Sequence, residues 1–322
     1  MAGRECAAWI STGRGEGLHS GACVQGRGEE GCAIVLPPLF SARLFLPMPL
    51  SLRLLLIGVG ISTVPVLSFG QSSYDLYGSA RADALGYSTT AAPSALGVHA
   101  NPAAAATRDR SVASFYAREG FGLAALRYGA AHIVRPFSWG APSAGISTFG
   151  FEEYREVHLS AGYARSVSLG TTRSLHAGAT VRYHHTSIAG YGSAGAVGLN
   201  VGLLVALLRS LHFGAHATNV NGAHAANMTL PRTLAVGIHY RALDHVAVLA
   251  DVFKEDRFPL SVRGGIEVSP VPPLVLRVGV TTVPVRFMGG AGLRLGPLHA
   301  DIAAEQHREL GWSPSASLRV RW

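Results

Sequence analysis

Between Ser111 and Trp322 the chain alternates, again and again, between apolar residues and small or polar ones. In 232–242, Leu234, Val236, Ile238 and Tyr240 share one parity, while Thr233, Ala235, Gly237 and His239 share the other. In 274–282, Leu274, Leu276, Val278 and Val280 oppose Arg277, Gly279 and Thr281. In 298–307, Leu298, Ala300 and Ile302 oppose His299, Asp301 and Glu305. A period of two is the signature of a strand with two unlike faces. Which face is oily decides the fold. A soluble sandwich turns its apolar face inward and covers the other with charge. Here the second face is mainly Gly, Ala, Ser, Thr and His with isolated charges, which is too lean for a solvated exterior. A transmembrane barrel has that asymmetry, with oily side chains on the lipid and small polar ones in the lumen. Hydrocarbon tolerates no open sheet edge, so the sheet must close.

The pattern predicts an all-β fold: a closed antiparallel transmembrane β-barrel of about fourteen strands, each roughly ten residues long, with a short N-terminal hatch segment. The second strand is expected to begin near Phe121 and the last near Ser315. Turns are expected at 219–222, 270–273 and 311–314, where Asn, Gly and Pro cluster. The connections read as mostly short.

Composition agrees. The chain is 48% apolar and 14% charged, against about 25% charged in an average soluble domain. Its formal charge of +8 comes almost wholly from arginine, with Lys254 the only lysine. The arginines stand singly rather than in runs, which argues against nucleic acid as a partner. Cys6, Cys23 and Cys32 all precede residue 48, so the body can hold no disulfide, zinc–thiolate site or thiol nucleophile.

Residues 48–70 read as a signal peptide. Met48 and Arg53 precede an apolar core from Leu54 to about Leu67, and Ser68-Phe69-Gly70 offers a small-x-small cleavage site before Gln71. Translation is then expected to start at Met48, with 1–47 a spurious or disordered extension; the alternative is a disordered leader before an internal anchor. Residues 71–110, rich in Ala, Gly and Ser, form a candidate plug, and 111–322 the barrel. At the C-terminus Leu318, Val320 and Trp322 should face lipid, with Ser317, Arg319 and Arg321 toward the lumen. That ending is similar to the assembly signal of bacterial outer-membrane barrels, which implies the barrel-assembly machinery and outer-membrane lipid as partners.

The stretch 78–106, GSARADALGYSTTAAPSALGVHANPAAAA, resembles the N-terminal hatch motif of the PorV/PorQ family, within the wider FadL-like barrel group. Gly78, Ala80, Arg81, Gly86, Asn101, Pro102 and Ala103 fit the motif. Leu85 stands where Met is usual, Tyr87 where a second Gly is, Ala92-Pro93 for an acidic pair, and Ala100 for an aromatic. Residues 212–222, 230–241, 246–268 and 290–322 follow the family's strand order. The resemblance implies a non-enzymatic bacterial outer-membrane protein associated with type IX secretion or cell-surface cargo. The alternative it implies is FadL-like transport of hydrophobic molecules such as long-chain fatty acids. Long outer loops of the fatty-acid transporters are missing, which tilts the reading toward PorV/PorQ.

Other chemistry is thinner. His185-x-Ser187 resembles the His-x-Ser site of outer-membrane lipid deacylases. Its two residues share the parity of Val181 and Tyr183, no acid stands near in sequence, and Ile188 occupies the usual Asn position. An outer-membrane esterase is therefore the remote alternative. Residues 190–195 match G-x-G-x-x-G, but another alternating strand follows instead of a helix, so they read as a turn. His184 and His185 point to opposite faces and make a poor metal pair. No cofactor or metal is expected. The charges of lumen parity, Arg182, Arg263, Glu267, Arg277, Arg294, Asp301, Glu305, Arg319 and Arg321, are expected to form a ladder of cross-strand ion pairs that fills the barrel and anchors the hatch.

Overall fold

The computed structural model describes residues 78–93, 100–170, 173–225 and 228–322. The expected extension and signal peptide, 1–70, lie outside the described residues. Fourteen strands form one closed antiparallel barrel. In chain order the first seven strands are β1 (Val112–Glu119), β2 (Arg127–Val134), β3 (Ala141–Gly150), β4 (Tyr154–Leu169), β5 (Arg173–Ile188), β6 (Gly192–Ala206) and β7 (Leu211–Thr218). A two-residue hairpin, β8 (His224–Ala225) and β9 (Met228–Thr229), interrupts the wall. The barrel resumes with β10 (Thr233–Leu243), β11 (Val246–Glu255), β12 (Ser261–Val271), β13 (Leu274–Thr282), β14 (Val285–Leu295), β15 (Leu298–His307) and β16 (Gly311–Arg321).

Each barrel strand pairs with the barrel strands before and after it, β7 with β10 across the small hairpin, and β1 pairs with β16 from Val112↔Arg321 to Arg118↔Ser315. Backbone bonds between Ser111 and Trp322 extend that seam. The wall therefore has no free edge, as hydrocarbon requires. The oily parity looks outward: Val278 is 58% exposed, whereas its neighbour Arg277 is 5% exposed. Leu234, Val236, Ile238, Leu318 and Trp322 are exposed in the same way. Among the described residues no solvent-facing layer covers them, so the outer surface of the barrel is an apolar belt.

Two strand starts differ from the sequence reading. β2 begins at Arg127, because 3-10 turns at Gly120–Gly122 and Ala124–Leu126 occupy the residues read as its start. β16 begins at Gly311, because the residues read as a turn pair with β15, from His307↔Gly311 to Ala304↔Pro314. The longest barrel connection, 219–232, holds the small hairpin. Asn219 ties it down by donating to the Pro231 carbonyl at 2.6 Å.

Candidate functional site

The lumen is occupied by the chain's own N-terminal segment. Helix α1 (Ala80–Ala84) packs on β13 to β16, and a 3-10 helix (Pro102–Thr107) packs on β3 to β6, across the barrel. Local chemistry sets both. Asn101 caps the 3-10 helix by accepting from the Ala103 amide at 3.0 Å, and Pro102 supplies a preset φ at its first position. After α1 the chain turns through Gly86 and Tyr87 at φ 63° and 60°. Glycine enters that region freely; tyrosine does so only where the fold holds it.

What holds Tyr87 is a buried polar network. Its hydroxyl donates to Glu305 on β15 at 2.5 Å. Arg118 on β1 and Arg286 on β14 approach the same carboxylate at 3.1 and 3.2 Å. The Arg286 and Arg263 guanidinium groups lie 5.1 and 5.7 Å from the Tyr87 ring centre, within cation–π range. Arg263 also sits 3.5 Å over the Phe253 ring. Asp83 accepts from Tyr116 and Ser315, both at 2.6 Å. Burial pushes the Asp83 carboxyl up, against the pull of Arg118 and the two hydroxyls.

A second group lies beside it. Arg81 reaches Glu267 on β12 at 2.8 Å, and Arg277 on β13 reaches the same carboxylate at 2.7 Å. Arg277 continues to Asp301 at 2.8 Å, and Arg319 lies 3.5 Å from that aspartate. Further along the segment, the Thr90 amide donates to Asp251 on β11 at 2.9 Å. The Asn101 amide donates to the carbonyls of Thr90 and Leu203, at 2.8 and 3.0 Å.

Close backbone contact completes the seat. A Cβ on Gly178 of β5 would lie 2.6 Å from the Pro102 carbonyl carbon, and one on Gly265 of β12 would lie 2.6 Å from the Leu85 carbonyl oxygen. Both positions need glycine because main chain presses on the wall there.

Of the nine lumen charges singled out in the sequence, Glu267, Arg277, Asp301 and Arg319 come together in one linked group, while Glu305 pairs with two arginines outside the nine. Arg294 is exposed, 3.8 Å from Glu267, and Arg321 is half-buried with a bond to the Gly296 carbonyl. Arg182 is fully buried on β5, opposite β14 in the strand order and away from this group. Of the hatch-motif residues, Arg81, Gly86 and Asn101 are buried against the wall, and Gly78 enters α1 at φ 70°. Sequence reasoning missed Asp83, Tyr87, Arg118 and Arg286. The opposite parity of Arg118 to Phe115, and of Arg286 to Phe287, was the signal that places the two arginines inward.

His185 is half-buried and Ser187 exposed on the outer face. They border a shallow hollow with Glu152, Arg155 and Val157, so a carboxylate does come near in the fold, though distant in sequence. A larger hollow of about 680 Å³ lies on the outer face of β16, β1, β2 and β3 toward the end away from Ser111 and Trp322, lined mostly by outward residues such as Ala117, Arg127, Thr148, Arg155 and Ala316. No group of three or more His, Cys, Asp or Glu suited to a metal occurs among the described residues.

No family model and no curated protein matches the sequence. Solved structures do match the fold. The toluene transporter TbuX of Ralstonia pickettii aligns with a TM-score of 0.50 at 13% identity, covering 69% of this chain and 92% of its own. A ΔS2S3 mutant of the TodX monoaromatic hydrocarbon channel aligns with a TM-score of 0.52 at 11% identity, covering 76% and 97%. A Pseudomonas aeruginosa FadL homologue gives 0.50 at 11% identity, covering 80% and 99%. The chain has the fold of FadL-type barrels.

Proposed function

We propose that this protein is an outer-membrane barrel that passes small hydrophobic molecules without catalysing a reaction, its N-terminal segment acting as a movable hatch. The observation that carries this reading is the filled lumen. A segment held by exchangeable hydrogen bonds and ion pairs blocks the bore, and a solute crosses when those contacts are traded for others. The barrels of like fold include a toluene transporter and a monoaromatic hydrocarbon channel, which favours transport over the secretion role that the sequence resemblance put first. The test is uptake of radiolabelled toluene and of a long-chain fatty acid by cells whose own carriers are deleted. Expression of the full chain should raise uptake of at least one above that of vector-only cells. Rates equal to the vector's for both solutes would reject the reading.

A second reading keeps the secretion role. Its support is the 78–106 segment, which carries the PorV/PorQ-like pattern and whose described residues lie inside the barrel. Co-purification of type IX components from the native membrane separates the two. The esterase reading predicts that Ser187→Ala alters lipid acyl chains; for a non-catalytic barrel the acyl profile stays that of the wild type.

A further inference from the structure

One sector of the barrel rim is rich in arginine; the exposed Asp109 and Asp244 stand at the same end but outside it. At the end where β1 starts and β16 finishes, the wall between β2 and β7 runs past its neighbours. β4 is 16 residues long and β3 only 10, and Ala141 at the start of β3 pairs with Ala164. Residues 165–169 of β4 therefore stand beyond the β3 edge, paired only with β5. This overhang and the two neighbouring turns carry four exposed arginines, Arg135, Arg165, Arg173 and Arg209, and no carboxylate. The opposite mouth mixes its arginines with Glu119, Glu152, Glu153, Asp256 and Glu309.

The four arginines are set among outward apolar side chains. Val167 and Leu169 alternate with serines beyond Arg165, each 51% exposed, and Leu207 and Leu208 precede Arg209. On the β2–β3 turn, Arg135 lies 5.2 Å over the Phe137 ring. Phe137 stacks on Trp139 at 5.1 Å and 10°, and Trp139 on Tyr163 at 5.8 Å and 9°. The Tyr163 hydroxyl donates to the Trp139 carbonyl at 2.6 Å and fixes the stack. A stacked aromatic surface prolonging the apolar belt, capped by guanidinium groups, suits the glycerol and phosphate levels of a leaflet. Arginine forks match phosphate oxygens. Among the described residues, none of the four makes an ion pair in the structure, and the overhang and its two turns hold no acid.

We infer that this sector is a docking surface for anionic phospholipid, which it gathers from the leaflet at the Ser111–Trp322 end of the barrel. The continuity of Val167, Leu169 and Trp139 with the lipid-facing belt favours a lipid over an acidic protein, whose approach would leave those side chains in water. The inference needs the barrel to span a membrane and does not need it to transport anything. A barrel that passes no solute still gathers the lipid, so the two readings fail separately.

The test uses full-length protein in nanodiscs of phosphatidylcholine with a minority of phosphatidylglycerol. Lipids retained on the protein are identified by native mass spectrometry. Each arginine near an anionic surface adds about fivefold to binding. Wild type should enrich phosphatidylglycerol over its bulk fraction, and the enrichment should fall as salt rises. The quadruple variant Arg135→Ala, Arg165→Ala, Arg173→Ala, Arg209→Ala should lose at least ~tenfold, while the four matching lysine substitutions keep most of it. A control removing Arg127, Arg155, Arg257 and Arg308 at the other mouth should leave it unchanged. Absence of enrichment in the wild type at low salt overturns the inference without reference to any variant. So does equal loss in the control, or stronger retention of lipid A through the same four arginines when lipid A replaces phosphatidylglycerol.

Discussion

Glu305 accepts from one tyrosine and lies within ion-pair distance of two arginines, and all of these groups are buried. Removing one member of a buried ionic group strands the others, at about 3–5 kcal/mol. Glu305→Ala should therefore lower the midpoint of heat-modifiable gel mobility more than Tyr87→Phe, which removes the hydroxyl's bonds to Glu305 and from Arg118 but leaves both arginines their carboxylate. Equal shifts would mean that the carboxylate is not the hub. Asp83 contributes one part of the pH response. Its carboxyl is raised in the folded chain, so the folded state holds the proton more tightly than the unfolded chain does. Relative stability then falls as pH rises from the ordinary carboxylate range through the raised value, and is regained on acidification. Asp83→Asn, which cannot titrate, should flatten that part of the profile in a urea titration run at several pH values.

At the scale of elements, the inner segment is held by wall positions that lack side chains. Valine at Gly178 or Gly265 drives a Cβ into the main chain of the segment, and backbone cannot step aside as a flexible side chain can. Either substitution should dislodge the segment while leaving the strands paired, since β-branched residues suit strands. Larger and noisier single-channel conductance in planar bilayers, with unchanged circular dichroism, is the expected result. The strands were legible because their signal is local: Leu234 to Tyr240 declare a face without reference to any partner. The start of β2 was not legible, because Phe121 and Leu123 continue the apolar parity while the backbone forms 3-10 turns. The seat of the inner segment was legible only in its charges. Arg277 and Asp301 share a parity, but Tyr87 meets Glu305 across 218 residues, and no local period encodes that contact. Nor could spacing show that Gly178 faces Pro102, since a lumen glycine looks the same whether it touches water or main chain.

At the scale of the whole molecule, the barrel is oily outside and divided inside. One wall, from β12 through β16 to β1, carries the ion pairs. The opposite wall carries His132, His158, His184 and His216 with glycines and serines. The inner segment bridges the two, with α1 on the charged wall and the 3-10 helix on the other. That arrangement makes sense only if the exterior is hydrocarbon, and one side chain can decide the matter. Val236 lies within β10, is 50% exposed and points away from the lumen. On a water-facing surface Val236→Arg would be nearly neutral, within about 0.5 kcal/mol. On a lipid-facing strand near the midplane it costs about 2–4 kcal/mol, and less toward the interfaces. Refolding into phosphatidylcholine vesicles from urea, followed by tryptophan fluorescence, measures the difference. Val236→Arg should be destabilised by the larger amount, and an arginine at Leu243, at the end of the same strand, by about 0–1 kcal/mol. Equal, near-zero effects at both positions would place water, not lipid, against the outer face, and the transport reading would fall with it.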